Sequence, residues 1–166
     1  MSSFLFLASD EALTIVENPY IKKLSLHEAL ALDMELPDFL LENQEIDPNE
    51  PIIQICESDE LLGELEIAPA LDCEDLVRPY TGRKLIYGVS LQYTQARGGA
   101  LLDYLQTELE RVPVIELYSI WLGDDQSPAC REVFSQNLSE HHLRFLDQTQ
   151  GFQGSRGLIL HARPRE

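Results

Sequence analysis

The fold is decided by residues 84–124, which read KLIYGVSLQYTQARGGALLDYLQTELERVPVIELYSIWLGD. In the first third of this stretch, apolar side chains alternate with smaller or more polar ones, which is the period of a strand with one buried face. These side chains belong to Leu85, Tyr87, Val89, Leu91 and Tyr93. Leu101, Leu105 and Leu109 then recur at helical spacing, and residues 114–122 return to a β-rich run. The stretch predicts a strand, a helix and a second strand.

The chain before this stretch carries further local signals. The apolar run at residues 4–7 is typical of a buried strand. Ser25 and Glu28 have the spacing of a capping box, in which each side chain satisfies a free backbone N–H of the first helical turn. The helix that begins there must end before Pro37, because proline disfavours helical geometry in the residue before it. We expect residues 39–41 to add a turn that packs on the core.

Residues 127–137 allow two interpretations. Ser127 and Pro128 would make a good helix start, since proline is tolerated at the first helical position. Ser139, however, resembles the cap of another helix, and two helices cannot meet there without a turn. We therefore predict a strand at residues 131–136, followed by a helix and by a last strand at 158–161.

With that strand, residues 84–161 read β-α-β-β-α-β, the element order of a ferredoxin-like unit. The fold class is then α+β, with both helices on one face of an antiparallel sheet. The N-terminal part would be an acidic α/β extension packed on this unit. We place the lobe boundary near Arg78, between residues 1–77 and 78–166, although a chain of 166 residues usually makes one compact domain.

The net charge of −17 belongs entirely to the first 77 residues, which hold 19 Asp and Glu against two Lys. Such a field repels nucleic acid and anionic membranes and favours a protein partner with a basic surface. A solvated acidic face would produce the same composition. No apolar run is long enough to span a bilayer and no secretory signal is recognisable. Together with three cysteines at unrelated spacings, this predicts a cytoplasmic protein.

Four polar residues are candidates for a binding site on the sheet. Glu116 and Tyr118 share one face of the second central strand, and Ser90 shares the same face of the first. A carboxylate on an open sheet face could act as a general base or as a ligand anchor. The structural alternative is a cross-strand hydrogen bond or an ion pair with Arg131. No catalytic residue is assigned.

The sequence predicts neither a metal site nor a cofactor in this preferred interpretation. His141 and His142 are adjacent, so on a helix they point about 100° apart, whereas a helical zinc pair needs a spacing of four. Asp124 and Asp125 follow a strand, where adjacent Asp residues commonly make a turn. No local feature would lower the pKa of a cysteine.

A short motif supports a different hypothesis. Residues 95–100, QARGGA, resemble the Gln/Arg-x-x-Gly-x-Gly/Ala loop of the GCN5-related N-acetyltransferases, in which backbone N–H groups cradle the pyrophosphate of acetyl-CoA. The resemblance implies that acetyl-CoA would bind there and that Tyr118 or Glu116 would lie near the acyl transfer. Its cofactor residues would be Gln95, Arg97, Gly98, Gly99 and Ala100. The structural alternative is a close helix contact that the two glycines permit.

A second resemblance covers more of the chain. Its segments are LFLASD, ENPY, LSLHEAL, RPYTGRKLIYGVSLQYT, LLDYLQTELE and IELYSIWLGD. They resemble a family of small bacterial proteins that has no established activity to carry over. This resemblance favours the strand at residues 131–136.

The preferred functional prediction is a non-catalytic binding or regulatory module that uses the open sheet face or the acidic lobe. An unpaired sheet edge makes a homodimer plausible. One alternative is an acyl-CoA-dependent N-acyltransferase, which requires a helix over residues 127–137. A second alternative is an acidic inhibitor of a basic protein. Nothing in the sequence identifies the partner or the pathway.

Overall fold

The computed structural model describes residues 3–151 and 153–163. These residues divide into two compact units. We call residues 18–62 the acidic segment, and the chain before Asn18 and after Leu62 the sheet unit. The elements in chain order are β1 (Ser3–Ser9), β2 (Lys22–Leu24), α1 (Leu26–Ala31), α2 (Asp38–Glu42), β3 (Ile53–Ile55), α3 (Asp59–Leu62), β4 (Glu66–Pro69), α4 (Glu74–Val77), β5 (Leu85–Ser90), α5 (Gln95–Glu108), β6 (Val114–Trp121), β7 (Ala129–Phe134), α6 (Glu140–Leu143) and β8 (Arg156–His161).

The sheet unit is a mixed α+β structure around six strands in the order β4-β5-β1-β6-β8-β7. All neighbouring strands are antiparallel except β7 and β8, which run parallel. The N-terminal strand β1 lies between the two strands of the central stretch and pairs with both. Phe6, Leu7 and Ala8 are almost completely buried, because an apolar run of this kind is suited to a strand that is covered on both faces.

Helix α5 covers one face of the sheet. Thr94 caps it by accepting the backbone N–H of Arg97 through its side chain, as residues of this type commonly do at a helix start. Leu101 and Leu105 are fully buried and pack with Leu117 and Leu160 of the sheet in the larger hydrophobic core. The predicted strand, helix and strand are therefore confirmed.

The opposite face of the sheet is covered by the chain's own residues 70–80. Phe6, Tyr118 and Ile120 of the sheet pack there with Ala70 and Val77 in a smaller hydrophobic cluster. The face that the sequence predicts to be open is therefore occupied over this area by the segment that contains α4.

A strand is present close to residues 131–136, as predicted, but its position in the sheet differs from that in a ferredoxin-like unit. In such a unit it would lie between the first two strands, where the structure has β1. Strand β7 instead lies at the sheet edge beside β8. The physical reason is composition: five of the six residues of β7 are exposed, and a sequence with Arg131 and Glu132 could not occupy a centre that is buried on both faces.

The acidic segment is built from shorter elements. Strands β2 and β3 pair as a two-stranded sheet, and helices α1, α2 and α3 have four to six residues each. The predicted capping box of Ser25 and Glu28 is present. Helix α2 forms at the predicted place, but it has no buried residue, so the prediction that residues 39–41 pack on the core is wrong.

The compact units also divide the chain differently from the predicted lobes. Residues 63–77 belong with residues 78–163 in the sheet unit, and so does β1. The change of charge near Arg78 therefore does not coincide with a structural boundary. Charged residues occur wherever the chain is exposed to solvent, whereas a compact unit is defined by the strands and helices that pack together.

Candidate functional site

The structure brings together Glu116 and Tyr118 on the sheet face opposite α5, as their positions on β6 predict. Both side chains are buried. The Thr81 hydroxyl donates to Glu116 Oε2 at 2.5 Å, and Arg83 Nε donates to Glu116 Oε1 at 2.9 Å. The Tyr118 hydroxyl donates to Oε2 at 3.3 Å. Both carboxylate oxygens thus have partners within the protein.

Arg83 extends this cluster to the end of β1. Its Nη1 donates to Asp10 Oδ2 at 2.8 Å, while the backbone N–H of Lys84 donates to Asp10 Oδ1 at 3.1 Å. These hydrogen bonds lower the pKa of Asp10, and the bonds to Asp10 and Glu116 raise the pKa of Arg83. Burial, and then the Glu116 carboxylate, raise the pKa of Tyr118, so the phenol remains a proton donor. These hydrogen bonds join Thr81 and Arg83, which follow the segment that contains α4, to β6 and to the end of β1.

The ion-pair partner of Glu116 is thus Arg83 and not Arg131, which the sequence had suggested as the structural alternative. Arg83 lies 33 residues from Glu116, and Asp10 lies 73 residues from Arg83. No local pattern connects residues at such separations. From the sequence alone, Arg83 is one of several basic residues that could pair with Glu116.

Ser90 and Arg131 do not join this cluster. Ala8 pairs with Ile86 on one side and with Glu116 on the other, so Ser90 lies four residues, about 13 Å, further along the sheet. Arg131 pairs with Leu158, whose side chain packs in the core on the α5 face. Arg131 is therefore on the opposite side of the sheet from Glu116.

The motif at residues 95–100 lies inside the first turns of α5. Arg97 is 7% exposed, and its Nε donates to Glu64 Oε1 at 2.9 Å. A Cβ at Gly98 would lie 2.6 Å from the Tyr93 ring, so Gly98 allows the loop before the helix to pack against it. These contacts support the structural alternative for the two buried motif positions.

The remaining polar candidates have structural partners. Asp124 accepts the backbone N–H groups of Ser155 and Gln126, which lower its pKa; it is a turn residue. The pKa of the Cys130 thiol is raised by desolvation and by Glu116, which disfavours a reactive thiolate. Among residues 3–151 and 153–163, no three His, Cys, Asp or Glu side chains are placed to hold a metal ion.

The acidic segment presents an unusual surface. It holds 11 Asp and Glu against two Lys, a net charge of −9, yet seven of its large apolar side chains are exposed. They are Tyr20, Leu30, Leu32, Phe39, Leu41, Ile52 and Leu62. In α2, Phe39 is 68% and Leu41 is 50% exposed. Only two apolar residues of the segment are buried, Leu26 and Ala29.

A groove with a volume of about 790 Å³ lies in the sheet unit at the start of α5. Its lining includes Gln95, the first residue of the short motif, and three arginines, Arg131, Arg144 and Arg156. We call it the arginine groove. It brings Arg131 close to the start of the motif, although not to Glu116.

No family model, curated protein or solved structure matches the chain. Within the part of the chain that the structure describes, no helix is long and apolar enough to cross a membrane. Strand β7 forms one edge of the sheet, and the homodimer expected from an unpaired edge stays a prediction.

Proposed function

We propose that the protein is a non-catalytic binding module whose acidic segment docks a basic amphipathic helix of a partner protein. The observation that supports this most strongly is the combination, in one unit of residues 18–62, of seven exposed large apolar side chains and a net charge of −9. Exposed apolar side chains mark a contact surface where they form a contiguous patch, and we propose that those of α2 contribute to such a patch.

The apolar part of the surface supplies the affinity. Phe39 and Leu41 belong to a helix with no buried residue, so their side chains contribute little to the packing of the free protein. Because Phe39 and Leu41 are two residues apart on a helix, their side chains point in different directions, and burying one of them against a partner would contribute on the order of 1.5–3 kcal/mol. This is enough to distinguish a specific complex from a purely electrostatic encounter.

The charge determines which partner is accepted. A net charge of −9 on this unit attracts a basic partner at a distance and repels an acidic one. Because exposed charges are screened over about 8 Å at physiological ionic strength, the association rate should fall as salt is added. The apolar contacts should be much less sensitive to salt.

A basic amphipathic helix meets both requirements at once. Its apolar stripe can cover exposed leucines and Phe39, while Lys and Arg on its flanks face carboxylates such as Asp38 and Glu42 at the two ends of α2. Helices of this kind bind apolar surfaces in many complexes.

The competing acyl-CoA-dependent N-acyltransferase has less support. It requires a helix over residues 127–137, where the chain forms β7. Two of its proposed cofactor residues, Arg97 and Gly98, are buried in contact with Glu64 and Tyr93. We therefore do not adopt acetyl-CoA as a cofactor.

The proposal can be tested with a synthetic peptide of about 18 residues, or five helical turns, made of Leu and Lys with Leu at helical spacing. Binding is measured by fluorescence anisotropy at about 0.15 M salt. We expect the amphipathic peptide to bind roughly ten times more tightly than a scrambled peptide of the same composition, a difference of about 1.4 kcal/mol.

Matched variants distinguish peptide binding at this surface from nonspecific binding to exposed apolar side chains elsewhere. Phe39→Ser combined with Leu41→Ser should remove most of that preference, because both side chains are lost from α2. Leu71→Ser is the control, since Leu71 is 82% exposed but lies in the sheet unit. Equal binding of the two peptides, or equal losses in the two variants, would contradict the proposal.

A further inference from the structure

The arginine groove is built from several elements of the sheet unit. Arg131 comes from β7, Arg156 from β8, and Arg144 from the turn that follows α6. All three arginines are exposed. The described residues that line the groove all lie outside the acidic segment, so this proposal does not depend on the proposed docking surface.

The arginines of the groove differ from most others in the described chain in having no carboxylate partner. Arg78, Arg83, Arg97 and Arg111 each form an ion pair. Among the described residues, no hydrogen bond or ion pair is made by the side chains of Arg131 and Arg144, and Arg156 Nε donates only to the carbonyl of Gln153, at 3.3 Å. The chain has 29 Asp and Glu for 12 Lys and Arg, so carboxylates are not in short supply.

Two of these arginines are also close neighbours. Ala129 pairs with Arg156, and Arg131 pairs with Leu158, in the parallel register of β7 and β8. Arg131 and Arg156 therefore share a face on adjacent strands, with Cα atoms about 8 Å apart. Like charges this close repel each other, and the attraction of both arginines to a bound anion would offset that repulsion.

The rest of the groove also favours an anion. Thr94 and Gln95 line it, so the positive end of the 14-residue helix α5 faces the same space. Two carboxylates line it as well, from Glu140 and Asp147. Asp147 Oδ1 already accepts the backbone N–H and the hydroxyl of Thr149, at 3.0 and 2.6 Å. With neutral histidines, the charged lining sums to one positive charge from three Arg and two carboxylates.

We propose that the arginine groove binds a small polyanion that carries phosphate groups, with a nucleoside diphosphate as the closest fit. Guanidinium groups form paired hydrogen bonds with phosphate oxygens, which a ligand with two phosphates can offer to more than one arginine. The volume of about 790 Å³ is that of a small-molecule site. Tyr93 and Phe145, which also line the groove, provide rings against which a base can pack.

The test uses the full chain and measures binding of ADP, pyrophosphate, adenosine and citrate by calorimetry. We expect ADP to bind most tightly and pyrophosphate more weakly. Adenosine should not bind, because it lacks phosphate, and citrate should bind at least roughly tenfold more weakly than ADP, because its carboxylates are differently spaced. A ligand at a hundred times its dissociation constant should also raise the melting temperature clearly.

The variants locate the site. Arg131→Gln and Arg156→Gln should each weaken ADP binding roughly tenfold, and Arg131→Lys should have an intermediate effect because it keeps the charge but loses the paired hydrogen bonds. Arg163→Gln is the matched control: Arg163 is exposed and lies outside the groove. The melting temperature of Arg131→Gln without ligand should match that of the wild type, since Arg131 has no partner to lose among the described residues.

Three results would overturn the proposal. The first is no binding of either ADP or pyrophosphate at millimolar concentration. The second is equal weakening by Arg163→Gln and by the groove variants, which would indicate nonspecific charge attraction. The third is binding of adenosine or citrate as tight as that of ADP, which would show that phosphate is not what the groove recognises.

Discussion

The sheet unit and the acidic segment distribute their apolar side chains in opposite ways. Among the described residues, the sheet unit buries 25 apolar residues and exposes six large ones, whereas the acidic segment buries two and exposes seven. A six-stranded sheet offers two broad faces, which α5 and residues 70–80 cover. A two-stranded sheet with helices of four to six residues encloses no comparable interior.

The difference shows that burial capacity, and not composition, decides what an apolar residue does. Leu105 of α5 is fully buried because a sheet lies beneath its helix, whereas Leu41 is half exposed on α2, a helix with no fully buried residue. A high net charge on such a surface opposes self-association. A region of this kind is stabilised further when a partner supplies the missing contacts.

The largest expected effect comes from truncating one leucine in each unit. Leu105→Ala should lower the free energy of unfolding by about 2–5 kcal/mol, because it removes contacts and leaves a cavity in the core. Leu41→Ala should change it by no more than about 0.5 kcal/mol, as is usual for exposed sites. Denaturant unfolding of both variants measures the two values.

Similar losses of stability in these two variants would mean that α2 packs as tightly as α5 in solution, and the contrast between the two units would be wrong. A loss confined to Leu105→Ala would show that α2 adds little to the stability of the free protein.

A smaller effect is expected from removing a carboxylate in each unit. Glu116→Ala leaves the hydroxyls of Thr81 and Tyr118 without their acceptor in a buried site, at a cost of about 1–3 kcal/mol. Glu57→Ala, in the exposed part of the acidic segment, should be nearly neutral. Thermal unfolding at neutral pH distinguishes these outcomes.

The double variant with Arg83→Ala provides the control for the Glu116 cluster. Arg83 Nε donates a hydrogen bond to Glu116. The double variant should therefore lose clearly less stability than the sum of the losses in the two single variants. Strict additivity would show that the ion pair contributes nothing.

The smallest expected effects concern two adjacent glycines of α5. Gly98→Ala would place a Cβ 2.6 Å from the Tyr93 ring, whereas a Cβ at Gly99 would meet Glu140 Oε1 at 3.7 Å, an ordinary van der Waals distance. We expect Gly98→Ala to destabilise by about 1–3 kcal/mol through overpacking, and Gly99→Ala to stabilise by about 0.5–1 kcal/mol through helix propensity.

Unfolding midpoints of the glycine pair should therefore move in opposite directions. If both variants were more stable than the wild type, the close contact between Tyr93 and α5 would not exist in solution, and the packing of the sheet unit would be looser than its core suggests.

Much of the local structure follows from short-range patterns in the sequence. The alternation at residues 85–93 and the leucines of α5 predict their elements, Ser25 predicts the start of α1, and the conflict at residues 127–137 is resolved as a strand. These features depend on neighbours within a few residues, where backbone geometry and side-chain direction are coupled.

The site was predictable only in part. The alternation along β6 correctly places Glu116 and Tyr118 on one face, because a strand has a period of two. That face is nevertheless covered, and its ion pair uses Arg83 instead of Arg131. The exposure of Phe39 and Leu41 could not be predicted either, because helix periodicity shows which residues share a face but not whether anything covers it.

Composition alone shows that residues 1–77 are acidic, and the periodicity along the chain predicts an apolar strand at residues 4–7, helix α5 and the mixed α+β class. The position of β1 between β5 and β6, the position of β7 at the edge beside β8, and the groove shared by Arg131 and Arg156 appear only in three dimensions. A pattern along the chain shows which face of a strand or helix must be buried. It does not show which strands become neighbours, because strand order depends on how all the buried faces pack together.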